Sequence, residues 1–136
     1  MNAQRVGYLL EQASHALYRD FDSHVRQAGL SPIEWRVLAT LHGIPPLTIS
    51  QLAHEVLAKQ PTVTKLVQRM ADQGWLTLEA DAADQRRTLV GASAAGRRLV
   101  RPLLEKARAH ESEMLRALAT SEQAALKKLL AKLAGR

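Results

Sequence analysis

TISQLAHEVLAKQ-PTVTKLVQRMADQG-WLTLEADAADQRRTLVGA, residues 48–92, decides the fold. Thr48 followed three residues later by Gln51 is a capping box, in which each side chain satisfies the other residue's orphan backbone N–H. It predicts a short helix burying Leu52, Ala53, Val56 and Leu57. Pro61 suits the first turn of a second helix, because its fixed φ is already helical and its missing N–H is not needed there. That helix spans 61–73, buries Val63, Leu66, Val67 and Met70 at three- and four-residue steps, and stops at Gly74. Residues 75–79 and 87–92 predict strands. The polar stretch Asp81-Ala82-Ala83-Asp84-Gln85-Arg86 between them is turn-like, so the pair predicts a hairpin.

Upstream, Ser31-Pro32-Ile33-Glu34 is a second capping box with Pro at the first helical position. It predicts a helix to about Leu41, ended near Gly43 and followed by a rigid Pro45-Pro46 connector. Residues 6–28 carry Val6, Leu9, Leu10, Ala13, Ala16, Leu17, Phe21 and Val25 on one stripe, predicting a single helix closed by Gly29. Downstream, Ser93 predicts the cap of a long helix, 94–118, striped by Leu99, Leu103, Ala107, Met114 and Leu118. Pro102 predicts a kink or break in it. Thr120-Ser121-Glu122-Gln123 predicts a third capping box and a final helix with Leu126, Leu129, Leu130 and Leu133. No repeat or low-complexity tract interrupts this order. A short helix, a tight turn, a second helix and a hairpin form a winged helix-turn-helix. The expected fold class is therefore mainly α, a winged lobe flanked by N- and C-terminal helices.

The 136 residues include no Cys, which excludes disulfides, thiolate metal sites and thiol redox switching. No apolar run approaches the ~18 residues of a membrane span. Arg5, Glu11, Arg19 and Asp20 argue against a leader peptide. The expectation is a soluble, cytoplasmic protein without cofactor or metal. The net charge of +6 is uneven: residues 1–58 sum to −1, 59–108 to +5 and 109–136 to +2. A basic middle segment is the electrostatic footprint of a polyanion binder. There is no Gly-rich phosphate loop, no clustered nucleophile and base, and no HExxH pattern, so an enzyme is not expected.

The second helix of such a pair fits the major groove of DNA. Its outward face carries Gln60, Thr62, Thr64, Lys65, Gln68 and Arg69. Gln, Lys and Arg hydrogen-bond base edges, and Thr meets phosphates or thymine methyl groups. At the hairpin tip, Arg86 and Arg87 suit the negative potential of a minor groove. Asp84, two residues before Arg86, can fix that guanidinium's orientation. An acidic residue beside DNA costs affinity unless it positions something.

Taken together, these segments resemble the MarR family of transcriptional regulators. The matching stretches are Leu30–Leu38, Leu47-Thr48 with Gln51-Leu52-Ala53, Thr62–Met70 with Gly74-Trp75-Leu76, Asp84-Gln85-Arg86-Arg87, and Ala92–Gly96. They run in order over nearly the whole chain. One departure is Ala92-Ser93 where the family often has Leu-Thr, and Gln60-Pro61 is a less polar helix entry than in many members. The resemblance implies a homodimer in which the first and last helices interlock. It implies 61–73 as recognition helix and Arg86 as the residue entering the minor groove. The expected organisation is one domain, 1–136, with a winged lobe at 30–98 and dimerisation helices at 1–29 and 99–136.

The terminal stripes support dimerisation independently, since a thin helical arm cannot bury both sides within one chain. A two-fold dimer sets its recognition helices about one DNA turn apart, predicting an inverted-repeat operator on double-stranded DNA. The resemblance also implies a pocket for a small aromatic or phenolic effector. Tyr8, His15, Arg19, Trp35 and Arg36 are the candidates, with aromatic rings to stack and guanidinium groups to hold a carboxylate. The five His are scattered, and no metal site is expected. The function these residues point to is sequence-specific regulation of transcription, as a repressor. The alternative is an architectural or protein-interaction winged-helix protein.

Overall fold

The computed structural model describes residues 5–136. The elements are α1 (Val6–Tyr18), α2 (Phe21–Gln27), α3 (Pro32–Leu41), β1 (Leu47–Thr48), α4 (Ile49–Val56), α5 (Gln60–Asp72), β2 (Leu76–Ala80), β3 (Thr88–Ala92), α6 (Ala94–Leu115) and α7 (Thr120–Leu133). They fold as two compact units. One is Asp22–Glu105; the other joins the segment ending at Phe21 to Lys106–Arg136.

In the first unit the capping chemistry is as the sequence predicts. The Ser31 N–H donates to Glu34 Oε1 (2.8 Å) and the Glu34 N–H to Ser31 Oγ (3.3 Å). The Thr48 N–H donates to Gln51 Oε1 (3.0 Å) and the Gln51 N–H to Thr48 Oγ1 (3.2 Å). The core is built from Val37, Leu38 and Leu41 of α3, Leu52, Ala53 and Val56 of α4, and Val63, Leu66, Val67 and Met70 of α5. Val25, Leu30, Leu76, Val90, Val100 and Leu103 add to it. Each large apolar side chain buried there contributes about 1.5–3 kcal/mol. The sheet is antiparallel with order β1-β3-β2. Leu76 opposes Ala92 and Ala80 opposes Thr88, so β2 and β3 form the predicted hairpin, with β2 shifted one residue later than expected and β3 starting one residue later and ending at Ala92 as expected. The two-residue β1, which the sequence reading missed, pairs Leu47 with Val90.

Four expectations need correction. Residues 6–28 do not form one helix: Arg19-Asp20 is a turn separating α1 from α2. Asp is a poor interior helix residue because its carboxylate competes for backbone N–H groups. Leu57 is not buried. It ends α4 in the left-handed region at φ 58°, where the turn geometry leaves it 86% exposed. The helix α6 runs through Pro102 without a break and ends at Leu115, three residues early. Its buried row is Gly96, Val100 and Leu103 rather than a row through Leu99. Finally, α7 is capped one residue earlier than predicted. Glu122 Oε1 accepts the Ala119 N–H (2.8 Å), while Gln123 Nε2 donates to the carbonyls of Leu115 (2.9 Å) and Leu118 (3.2 Å), closing the loop after α6.

The end of α5 is stapled to the start of α6. The Ser93 N–H donates to the Trp75 carbonyl (3.0 Å). Ser93 Oγ donates to the Gly74 carbonyl (2.6 Å) and accepts the Gly96 N–H (3.0 Å). A Cβ on Gly96 would collide with the Trp75 carbonyl oxygen and come within 3.2 Å of Leu38 Cδ2. That carbonyl is backbone and already bonded, so it cannot swing aside. Gly96→Ala is therefore expected to lower stability by about 2 kcal/mol, although Ala has the better helix propensity by about 1 kcal/mol. Urea unfolding measures this; an unchanged or higher midpoint would contradict the packing argument.

In the second unit α1 and α7 have no buried residue. Val6, Leu9, Leu10, Tyr18, Met114, Leu129, Leu130 and Leu133 are exposed. Leu10, Ala13, Leu17, Met114, Leu126 and Leu130 line an apolar cleft of about 340 Å³. Phe21 and His110 meet edge to face, with ring centroids 5.8 Å apart.

Candidate nucleic-acid interface

The helix α5 is held by its buried row, so the opposite row is presented outward. Gln60, Thr62, Thr64, Lys65, Gln68 and Arg69 are all exposed. Thr64 Oγ1 donates to the Gln60 carbonyl one turn back (3.0 Å). Its hydroxyl proton is thereby used and its methyl group left free. Gln68 Nε2 donates to Asp72 Oδ1 (3.5 Å).

The hairpin tip is ordered by carboxylates. Asp81 Oδ1 accepts the Ala83 N–H (3.0 Å). The Asp81 N–H donates to the Arg87 carbonyl (3.0 Å), and the Arg87 N–H to the Asp84 carbonyl (2.9 Å). Asp84 grips Arg86 three times. Its Oδ1 accepts both the Arg86 backbone N–H and Nε (3.1 Å each), and its Oδ2 accepts Nη2 (3.3 Å). Arg87 Nε lies 3.7 Å from the same carboxylate. The Asp84 carboxyl is held below its ordinary range, first by the Arg86 guanidinium, then by the Arg86 N–H, with the Arg87 charge adding less. The Arg86 side chain remains 91% exposed. A two-pronged hydrogen bond fixes a planar guanidinium's direction without covering it, so Arg86 is aimed outward.

The fold brings helix and wing together. Gln60 shares a polar cleft of about 420 Å³ with Thr48–Gln51, Arg86, Arg87 and Thr88. Thr64 and Gln68 share another, of about 320 Å³, with Gln85 and Arg87. Thr62, Lys65 and Arg69 are exposed on the same helix but line neither cleft. Ser50, Gln85 and Thr88 enter these clefts without having been singled out by the sequence. Ser50 had a signal in its place in the first turn after the Thr48 cap, and Gln85 in its place between Asp84 and Arg86 at the hairpin tip.

The effector candidates are distributed over both units. Tyr8 is half-buried and His15 exposed on α1. Arg19, at the end of α1, lies 3.8 Å from Asp20 with both side chains exposed. Trp35 is half-buried on α3. Arg36, also on α3, donates Nη1 to the Val56 carbonyl (3.3 Å) and so caps the last turn of α4. Among the described residues no group of three or more His, Asp or Glu could hold a metal ion. No described helix is long and apolar enough to cross a membrane.

Comparison with known proteins agrees with this architecture. Residues 28–87 match the family model described as MarR family. The chain is 26% identical over 125 residues to the HTH-type transcriptional regulator FarR of Neisseria gonorrhoeae, covering 92% of this chain and 86% of FarR. Among solved structures, the MarR family transcriptional regulator SPO1453 from Silicibacter pomeroyi DSS-3 is 36% identical with a TM-score of 0.83, covering 98% of this chain and 95% of that one. NadR, solved in complex with 4-hydroxyphenylacetate, is 25% identical with a TM-score of 0.87 over the same shares of the two chains. With the winged helix-turn-helix fold and likeness over nearly its full length, the chain belongs to the MarR family of transcriptional regulators.

Proposed function

We propose that the protein acts in the cytoplasm as a homodimeric repressor that binds an inverted-repeat operator and releases it on binding a small aromatic carboxylate. The observation that carries the reading is Arg86, aimed from the wing tip by Asp84 beside the exposed polar face of α5. In this reading α5 enters the major groove with Gln60, Thr62, Thr64, Lys65, Gln68 and Arg69. Arg86 and Arg87 meet the flanking minor groove, where negative potential attracts guanidinium. The winged lobe, 30–98, carries the DNA contacts, and segments 1–29 and 99–136 pair the protomers. The exposed apolar rows of α1 and α7 support that pairing, because a patch of this kind favours a partner surface over water. The protein acts by binding alone and carries out no reaction.

An effector chemistry is suggested by the relative NadR, solved with 4-hydroxyphenylacetate. Tyr8, His15, Arg19, Trp35 and Arg36 are the candidates for holding a ring and a carboxylate. Such a ligand weakens DNA binding only by favouring a conformation in which the two recognition helices no longer match the operator.

The test is selection of binders from a random duplex library by the purified protein. Enrichment of an inverted repeat with half-site centres about 34 Å apart is the expected result. Binding without a consensus would replace this reading with an architectural role. No binding at all would leave a protein-interaction module.

A further inference from the structure

We propose that Asp72 is a positioning residue for base recognition: it orients the Gln68 amide so that α5 selects an adenine in each half-site. The proposal rests on the reading of α5 as the helix that enters the major groove. Residues 60, 64, 68 and 72 are spaced by four, so they form one row along α5. All four are exposed, and Thr64 and Gln68 face the cleft shared with the wing. Gln68 Nε2 donates to Asp72 Oδ1 at 3.5 Å. A carboxylate only accepts, so the amide must turn its NH2 toward it. One N–H is occupied there. With the N–H anti to the carbonyl given to Asp72, the syn N–H and Oε1 stand together on the other edge of the amide, as a donor beside an acceptor.

That pair matches adenine, which offers N7 as acceptor and N6–H as donor in the major groove. Guanine offers two acceptors, N7 and O6, and sets one of them against the amide oxygen. Without Asp72 the amide is free to rotate and can meet either purine with its NH2 alone.

Asp72 has little else to recommend it at this position. It is the last residue of α5, where exposed carbonyls make a negative charge unfavourable. It stands on a face meant for a polyanion. Among the described residues it forms no ion pair. Asp84 presents the same arrangement in the wing: an acidic side chain that repels phosphate but holds a neighbouring reading group in place.

The experiment uses full-length protein and a random duplex library, followed by a panel of duplexes carrying the selected repeat with single base-pair changes. Wild type is expected to prefer adenine about tenfold at one position per half-site, and Gln68→Ala to lose that preference. Asp72→Ala should lose it too, while binding an unrelated duplex a few-fold more tightly because a negative charge is gone. Asp72→Asn removes the charge, and its amide donates as well as accepts, so it pairs with Gln68 without forcing one orientation. It should share the full rise in unspecific affinity while keeping only part of the adenine preference, and the two readouts moving separately distinguish positioning from electrostatics. An adenine preference undiminished in Asp72→Ala overturns the proposal, as does a loss of affinity equal across all duplexes. If wild type selects no repeat, the function reading fails and this proposal fails with it.

Discussion

Arg86→Ala is expected to weaken binding to the selected inverted repeat more than tenfold at moderate salt. A dimer carries two wings, so one substitution removes two guanidinium groups from the complex. Each is already directed by Asp84 while 91% exposed, so little side-chain freedom is lost on binding. The salt dependence should flatten as well, because fewer phosphates are neutralised. Asp84→Ala should fall between Arg86→Ala and wild type: the guanidinium survives but wanders, and a repulsive charge disappears. Fluorescence anisotropy on a labelled duplex measures all three proteins. Unchanged affinity in Arg86→Ala would reject the wing as a DNA contact.

Asp84 also sets a pH expectation. Its carboxyl is held below the ordinary range by the Arg86 hydrogen bonds, so the ordered tip favours the anion. The order it supplies is fully present above the unfolded value of about 3.9 and is lost only as pH falls through the lowered folded value. Wing geometry should therefore be constant through the neutral range.

Deleting residues 120–136 is expected to leave a monomer or an aggregate. It should reduce affinity for the inverted repeat by a hundredfold or more, since avidity over two half-sites is typically worth about 10²–10⁴. The whole of α7 lacks a buried residue, with Leu129 58% and Leu133 72% exposed. Helices with so little burial within one chain take their stability from packing elsewhere. Sedimentation velocity beside anisotropy gives both readouts. A well-folded dimer from the shortened chain would place the interface away from α7. Retained dimerisation with lost DNA binding would assign α7 to the lobe instead.

Local chemistry made much of the winged lobe legible. The Ser31–Glu34 and Thr48–Gln51 boxes act over three residues and need no tertiary partner, and both form as their spacing predicts. The Asp84–Arg86 pairing is equally local, two residues apart within one turn. The apolar row of α5 follows from periodicity alone. The end of α7 nearest α6 departs from the expected capping for a complementary reason. Thr120–Gln123 satisfies the same spacing rule, but Gln123 finds the Leu115 and Leu118 carbonyls nearby, and Glu122 takes the capping role.

By itself, then, the sequence determined where most helices begin, which face of α5 is apolar, and that an acidic residue stands beside the wing arginines. Such features depend on groups within one helical turn or one hairpin loop. Tertiary structure alone decided the rest. The strand β1 exists because Leu47 meets Val90, forty-three residues away, and no two-residue segment carries a pattern of its own. Gly96 matters because the Trp75 carbonyl lies against it. The stripes of α1 and α5 look alike in sequence, yet the α5 stripe is buried and the α1 stripe is not. Periodicity says which residues share a face, whereas burial depends on whether another surface is there to cover it.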